Sequence, residues 1–247
     1  MLTMDTHLAR VIEQVRALLA RELPGLSLQL HSAAQWSDSP AALAQTLEEI
    51  DRADIIFANM LFLEEHFQPI LGALKARRDA CDALLCAISA GEVVRLTRMG
   101  GFDMSRSSGG PLALLRRLRG AKSGDSNASS GAQQMRMLRR IPKILRFIPG
   151  VAQDVRSYFV ALQYWLGGSQ DNLANLIRML VTRYAAGARA TLRDSLAYKP
   201  PIEYPDVGLY HPAIAGRVTT AVDQLPGARR ESSGTVGLLV MRSHVLA

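Results

Sequence analysis

Asp54-Ile55-Ile56-Phe57-Ala58-Asn59 is the stretch that decides the fold. It is a short apolar run with branched residues, the mark of a strand buried on both faces. Before it, Leu43, Leu47 and Ile50 form a helical stripe that starts at Ser39-Pro40, an N-cap followed by a first-turn proline. After it, the pattern predicts a helix over about 64–79 and a second buried strand from Ala83 to Ile88. Further upstream, Leu8, Val11, Ile12, Val15, Leu18 and Leu19 share one helical face, and Pro24-Gly25 stops that helix. Leu26 to His31 alternates like a short strand. Helices and strands that alternate over short connections predict an α/β fold, a small doubly wound parallel sheet. Its first strand is incomplete: Met1 to Met4 are only the end of a strand entering a turn at Asp5. In doubly wound folds that strand is usually central, so its shortness predicts an open apolar gap in the sheet.

The sheet region is expected over residues 1–119. Residues 120–132, GAKSGDSNASSGA, have no periodicity and read as a flexible loop. A mainly helical region is expected over 133–198. Within it, Met135 to Phe147 is basic and amphipathic, and Val155, Tyr158, Phe159, Leu162, Trp165 and Leu166 form one apolar stripe. Gly167-Gly168 ends that helix and Ser169 caps the next, which buries Leu173, Leu176, Ile177, Leu180 and Tyr184. Residues 199–247 read as an extended segment and then the truncated start of a further α/β domain, with Val236 to Val240 as a fresh buried strand.

Composition narrows the function. The chain has 247 residues, and 48% of them are hydrophobic, enough for a substantial core without disulfides. It has no run of 18 apolar residues, so no spanning helix is expected. The N-terminus carries acids and an amphipathic pattern, unlike a signal peptide. Cys81 and Cys86 have neither a redox nor a zinc spacing and read as small buried hydrophobes. The net charge of +7 is local: residues 1–105 carry −5, residues 106–156 carry +9, and the remainder +3. The basic stretch Arg136, Arg139, Arg140, Lys143, Arg146 is interleaved with apolar residues. It reads either as a solvated surface helix or as a docking face for a membrane or an acidic partner. Aromatic stacking groups are nearly absent there, which argues against nucleic acid.

Chemistry-bearing motifs are few. Met99-Gly100-Gly101-Phe102 lacks Walker spacing, so no ATP site is expected. Gly109-Gly110-Pro111 reads as a helix break. The five histidines form no chelating pair, and no metal site is expected. Glu64-Glu65-His66 reads as acids complementing a helix N-terminus. Alternatively, Asn59 with Glu64 or Glu65 lies at the carboxyl end of a parallel strand, where such folds place ligands. Gln163 to Asn172 is the densest stretch, two aromatics, two glycines and polar groups at a helix–helix corner. It reads either as packing plus a cap, or as a wall for a flat aromatic ligand.

Asp54 to His66, Arg95 to Met104 and above all Gln163-Tyr-Trp-Leu-Gly-Gly-Ser-Gln-Asp-Asn172 resemble the N-terminal region of the large porphyrin-binding subunit of magnesium chelatase. Ile202 to Pro212 and Val236 to Ala247 are similar to the same family further along. The resemblance implies a subunit that binds protoporphyrin IX while AAA+ ATPase partners hydrolyse ATP. Together they insert Mg2+ into the porphyrin in chlorophyll or bacteriochlorophyll synthesis. It also implies a porphyrin methyltransferase as a further partner, and a cytoplasmic location peripheral to the photosynthetic membrane. Asn59, Glu64, Glu65, Gln163, Trp165, Asp171 and Asn172 are carried over as substrate-binding candidates. Arg139, Arg140, Lys143 and Arg146 are candidates for partner or membrane contact. The family subunit is several times longer and has a fuller first strand before the Thr3-Met4-Asp5-Thr6-His7 turn. The chain therefore reads as an N-terminal fragment with no catalytic residues of its own, inactive alone. The alternative is a non-catalytic docking module acting through the basic helix 136–148.

Overall fold

The computed structural model describes residues 1–4, 6–106, 140–193, 195–205, 207–226 and 238–240. The Asp5 turn, Gly109-Gly110-Pro111, the loop at 120–132 and Arg139 lie outside the described residues.

The fold is the expected α/β type, with a six-stranded sheet in the order β2-β1-β3-β4-β5-β6. Strands β1 (Leu2–Thr3), β2 (His31–Ser32), β3 (Ile55–Asn59) and β4 (Ala83–Ala87) are parallel. Alternation along β3 and β4 sends side chains to opposite faces. Ile56, Ala58, Leu84 and Cys86 meet α2 (Pro40–Arg52) and α3 (Glu64–Arg77) through Ile50, Phe67, Ile70 and Leu74. Phe57, Ala83, Leu85 and Ala87 meet the other layer, built by α1 (Ala9–Leu19) and two later helices. Because both faces are covered, β4 and all of β3 before Asn59 are apolar. The cap at Ser39 forms as expected: its hydroxyl accepts from the Ala42 amide at 3.2 Å, with Pro40 opening the helix.

After β4, the short helix α4 (Gly91–Val94) leads into an antiparallel edge, β5 (Arg98–Met99) and β6 (Phe102–Asp103). This edge departs from an all-parallel sheet. Its turn needs glycine. Gly100 has φ +56°, and a Cβ there would lie 2.7 Å from the Asp154 carboxylate, which accepts a hydrogen bond from the Gly101 amide at 2.9 Å.

Asp154 belongs to α5 (Val151–Gly167), which with α6 (Gln170–Tyr184) completes the helical layer over Phe57 and Leu85. The described part of the helical region expected over 133–198 thus shares one core with the sheet. A turn of helix over 140–145 precedes α5 and buries Ile141 and Leu145 in that core. Arg178 of α6 reaches back to Glu22 with contacts of 2.6 and 2.7 Å. Residues 199–202 are in no helix or strand, and further along β7 (Leu209–Tyr210) pairs with β8 (Val218–Thr219) in a small antiparallel ribbon. Leu238, Leu239 and Val240 are exposed and in no strand, which corrects the buried strand expected there; Val236 and Gly237 lie outside the described residues.

The strand expected over Leu26–His31 is also corrected, since only His31–Ser32 pairs. A strand needs a neighbour, and β1 is too short to reach residues 26–30. The expected gap is there instead. A cavity of about 660 Å³ lies between residues 26–29 and the amino half of β3.

Candidate functional site

The carboxyl end of β3 gathers the expected binding residues. Asn59 ends the strand fully buried, and neither atom of its side-chain amide has a hydrogen-bond partner. The Thr3 hydroxyl on β1 and the His66 Nδ1 on α3 are buried and equally without partners. A buried polar atom left unpaired costs about 1–3 kcal/mol, and four such atoms on three residues lie toward this end of the sheet.

The backbone around them is held in unusual shapes. Met60, just after β3, has φ +61°, and Ile88, just after β4, has φ +43°. Such conformations cost on the order of 1–3 kcal/mol each for non-glycine residues. The two loops are tied together. The Leu61 amide donates to the Ser89 hydroxyl at 3.0 Å, and the Ala90 amide donates to the Leu61 carbonyl at 2.8 Å. The turns present Phe62, Leu63 and Ile88 to solvent. Glu64 and Glu65 follow, exposed in the first turn of α3, where their charge complements the helix N-terminus. This end of the sheet thus offers apolar contact, two carboxylates and unused hydrogen-bonding capacity.

The second group of expected residues sits at the α5–α6 corner. Gly168 closes α5 with φ +63°, and the Ser169 hydroxyl accepts from the Asn172 amide. Asn172 is fully buried. Its side chain accepts from the Ile202 amide at 2.8 Å and donates to the Ile202 carbonyl at 3.1 Å. Asn175 accepts from the Lys199 amide at 3.0 Å, and the Tyr164 hydroxyl donates to the Lys199 carbonyl. Gly167 is glycine because a Cβ would lie 2.0 Å from the Asn172 side-chain nitrogen. The corner therefore clamps the segment at 199–202. Gln163 is half-buried and Asp171 exposed in the first turn of α6. Trp165 is 4% exposed, with its ring 5.1 Å from that of Phe57.

That ring pair joins the two groups, since Phe57 lies two residues before Asn59. They meet through packed core, not across an open pocket, and none of the seven residues lines the 660 Å³ cavity at the other end of β3. Burial also pushes the Tyr158, Tyr164 and Tyr184 hydroxyls and the Cys86 thiol above their usual ranges, so all four stay neutral. Thr3, His66, Met60 and Ile88 were not among the binding candidates read from the sequence. An orphaned polar atom and a positive φ leave no trace in residue order.

The described basic candidates lie on and just after the turn of helix before α5. Arg140, Lys143 and Arg146 are exposed, as are Ile144, Phe147 at 83%, Ile148 and Val151. Arg139 lies outside the described residues. The guanidinium of Arg146 stands 5.9 Å from the Phe147 ring centroid. Among the described residues, no helix is long and apolar enough to cross a membrane, and no group of three or more acidic, histidine or cysteine side chains could hold a metal ion.

The fold is thus an α/β sheet with a helical clamp on one side and, at its carboxyl end, an exposed apolar loop pair beside one orphaned side-chain amide. The chain belongs to the family described as a domain of unknown function (DUF3479), whose model matches residues 1–159; a CobN/Magnesium Chelatase model matches residues 162–247. Individual relatives are more specific. The chain is 49% identical over 248 aligned positions, 99% of its length, to the magnesium-chelatase H subunit of Cereibacter sphaeroides, and 44% identical over 248 positions, all of its length, to that of Rhodobacter capsulatus. It is 29% identical over 205 positions, 78% of its length, to the chloroplastic magnesium-chelatase subunit ChlH of Oryza sativa subsp. indica. These matches cover 20%, 20% and 14% of the respective relatives, so the chain spans about a fifth of the bacterial proteins, at their N-terminal end. The resemblance read from the motifs is borne out in family and in extent.

Proposed function

We propose that this chain is the N-terminal head of the porphyrin-binding subunit of a magnesium chelatase. In that role it takes part in ATP-dependent insertion of Mg2+ into protoporphyrin IX, on the way to chlorophyll or bacteriochlorophyll. The observation that carries this reading is the end-to-end likeness, 49% identity over 99% of the chain, to a protein named as the H subunit of magnesium chelatase. Mg2+ and porphyrin are substrates of the assembled enzyme. ATP belongs to AAA+ partner subunits, and a porphyrin methyltransferase would take the product. The head works in the cytoplasm, peripheral to the photosynthetic membrane. By itself it performs no insertion. Its contribution is recognition: the loops after β3 and β4, with Asn59, Glu64 and Glu65, face the body of the subunit or its porphyrin. Gln163, Trp165, Asp171 and Asn172 hold that end of β3 and the 199–202 segment in place.

Fragment complementation tests this. The remaining four-fifths of the Cereibacter sphaeroides subunit would be produced without its head and mixed with the ATPase subunits, Mg2+, ATP and a soluble porphyrin. Adding this chain is expected to restore Mg-porphyrin formation, read from the shift of the Soret band, while the chain with the ATPases alone gives none. Equal rates with and without the chain would overturn the reading.

A second reading is favoured by Phe147, Ile144 and Ile148, exposed among Arg140, Lys143 and Arg146. There the head acts as a docking module for a partner subunit or an anionic membrane. Charge reversal at Arg140, Lys143 and Arg146 would then abolish complementation or vesicle binding while leaving the thermal transition unchanged.

A further inference from the structure

Two exposed apolar faces of this chain carry opposite charge. The first lies at the carboxyl ends of β3 and β4, where Phe62, Leu63 and Ile88 are exposed beside the exposed carboxylates of Glu64 and Glu65. The second runs from the turn of helix over 140–145 to the start of α5, where Ile144, Phe147 and Val151 are exposed among Arg140, Lys143 and Arg146. Both are held in place. The Ser89 hydroxyl and the Leu61 carbonyl tie the two loops of the first face together. Ile141 and Leu145 anchor the second in the core. The Gln153 side-chain amide donates to the Leu145 carbonyl at 2.9 Å, and the Arg156 guanidinium to the Pro142 carbonyl at 3.2 Å. The faces sit at opposite ends of the sheet. Met99 pairs with Ala83, the first residue of β4, so the Gly100-Gly101 turn lies past the amino end of that strand. Asp154 accepts from the Gly101 amide, which fixes the first turn of α5, and the basic face beside it, at that end. One molecule therefore does not bring its basic face to its own acidic loops.

We infer that the loop pair after β3 and β4 takes the basic face of a second copy of this chain, with Arg140, Lys143 and Arg146 pairing with Glu64 and Glu65 while Phe147 covers Phe62 and Leu63. Complementarity selects this occupant. The 140–151 face joins exposed cations to exposed apolar side chains, and the loop pair joins exposed carboxylates to the same kind of side chain. Guanidinium and carboxylate groups make charge-assisted hydrogen bonds, and the apolar side chains among them leave water together. Opposite charge also steers the encounter, whereas two acidic faces or two basic faces repel. The contact therefore joins unlike faces. A pair formed through one such contact keeps one free face of each kind, so association continues to larger species unless it closes on itself. A few side chains on each side place the contact in the weak, transient class. This goes beyond a part in chelation. It concerns what a head binds when the rest of a subunit does not engage it, and complementation and self-association can fail independently.

Sedimentation velocity on the full chain tests this. The weight-average sedimentation coefficient is expected to rise with concentration. The rise should shrink between about 0.1 and 1 M salt, where the screening length falls from about 10 to 3 Å. Glu64→Lys with Glu65→Lys should weaken association about tenfold or more, and so should Arg140→Glu with Lys143→Glu and Arg146→Glu. A mixture of these two variants is expected to associate where neither does alone, and a chain carrying all five reversals to recover association. Phe147→Ser should weaken it without lowering the thermal midpoint, because that ring is 83% exposed. A chain that stays monomeric at every concentration would overturn the inference. So would a mixture and a five-fold reversal that both remain monomeric. Two other occupants would overturn it as well. A monomeric chain whose basic face binds phosphatidylglycerol vesicles would assign that face to a membrane. A monomeric chain whose Glu64 and Glu65 bind the headless subunit would assign the loop pair to the body.

Discussion

Acetylating the Met1 amine should stabilise this protein at pH 6 and leave it nearly unchanged at pH 9. Met1 is half-buried, and desolvation of its nitrogen lowers the pKa from 8.0 to about 5, with Glu49 opposing. The sign follows from proton counts. Between pH 5 and 8 the unfolded chain holds a proton on this amine that the folded chain does not. Folding therefore carries no penalty above pH 8, a penalty that grows as pH falls from 8 to 5, and a constant one below 5. Two pH units below the unfolded value, at pH 6, the penalty is about 2.7 kcal/mol. In a chain of this length that corresponds to about 5–10 °C in midpoint. Acetylation removes the charge and keeps an N–H for the Gln29 carbonyl, and the cavity has room for the added group. His31, whose pKa is also lowered by burial and by the amine beside it, adds a slope below pH 6.5 to the unmodified chain in the same direction. The assay is a thermal melt of acetylated and free chains at pH 9, 8, 7 and 6. The gap between them is expected to open steadily as pH falls. A constant gap, or none, would refute the reasoning.

Three substitutions probe the candidate site. Trp165→Ala removes a buried ring from its contact with Phe57 and should cost about 3–5 kcal/mol in urea unfolding, with loss of near-UV signal. Gly167→Ala puts a methyl group 2.0 Å from the Asn172 amide, which Ile202 holds from both sides. It should cost about 1–3 kcal/mol and expose residues 199–202 to limited proteolysis. Asn59→Leu keeps size while removing two buried atoms without partners, so it should stabilise the isolated chain by about 1–3 kcal/mol. The same change should weaken complementation; a variant that is more stable and fully active would remove Asn59 from the site.

Most of the sheet was legible because its cause is local. β4 and all of β3 before Asn59 are apolar on both faces, and Ser39-Pro40 announces α2 by hydrogen-bonding chemistry within one turn. Leu26–His31 has strand periodicity too, yet only its last residue pairs, because pairing depends on what stands beside it. The β5–β6 edge has two-residue strands, too short to carry any period, and Gly100-Gly101 was read only as lacking a phosphate-loop spacing. At the α5–α6 corner the sequence left two readings of Trp165 and Asn172. The structure gives one a packing partner and the other a backbone segment 30 residues away, and neither contact is encoded in spacing. The orphaned amide of Asn59 was beyond reach for the same reason, since it is defined by what its neighbours fail to offer.

The helical layer over Phe57 and Leu85 is supplied by residues that come late in the chain, and this has a cost during synthesis. The ribosome adds about 5–20 residues each second, so the second strand of the buried pair is made roughly 5–20 s before the end of α6. Throughout that interval one apolar side of the nascent sheet has only α1 to cover it. The Arg178–Glu22 clasp, spanning 156 positions, can close only at the end of the wait. The nascent chain therefore presents a sticky surface for seconds, and a chaperone that recognises extended apolar segments has its natural opportunity there. Synonymous changes that slow translation between residues 87 and 184 should lower the soluble yield without altering a single contact in the finished protein.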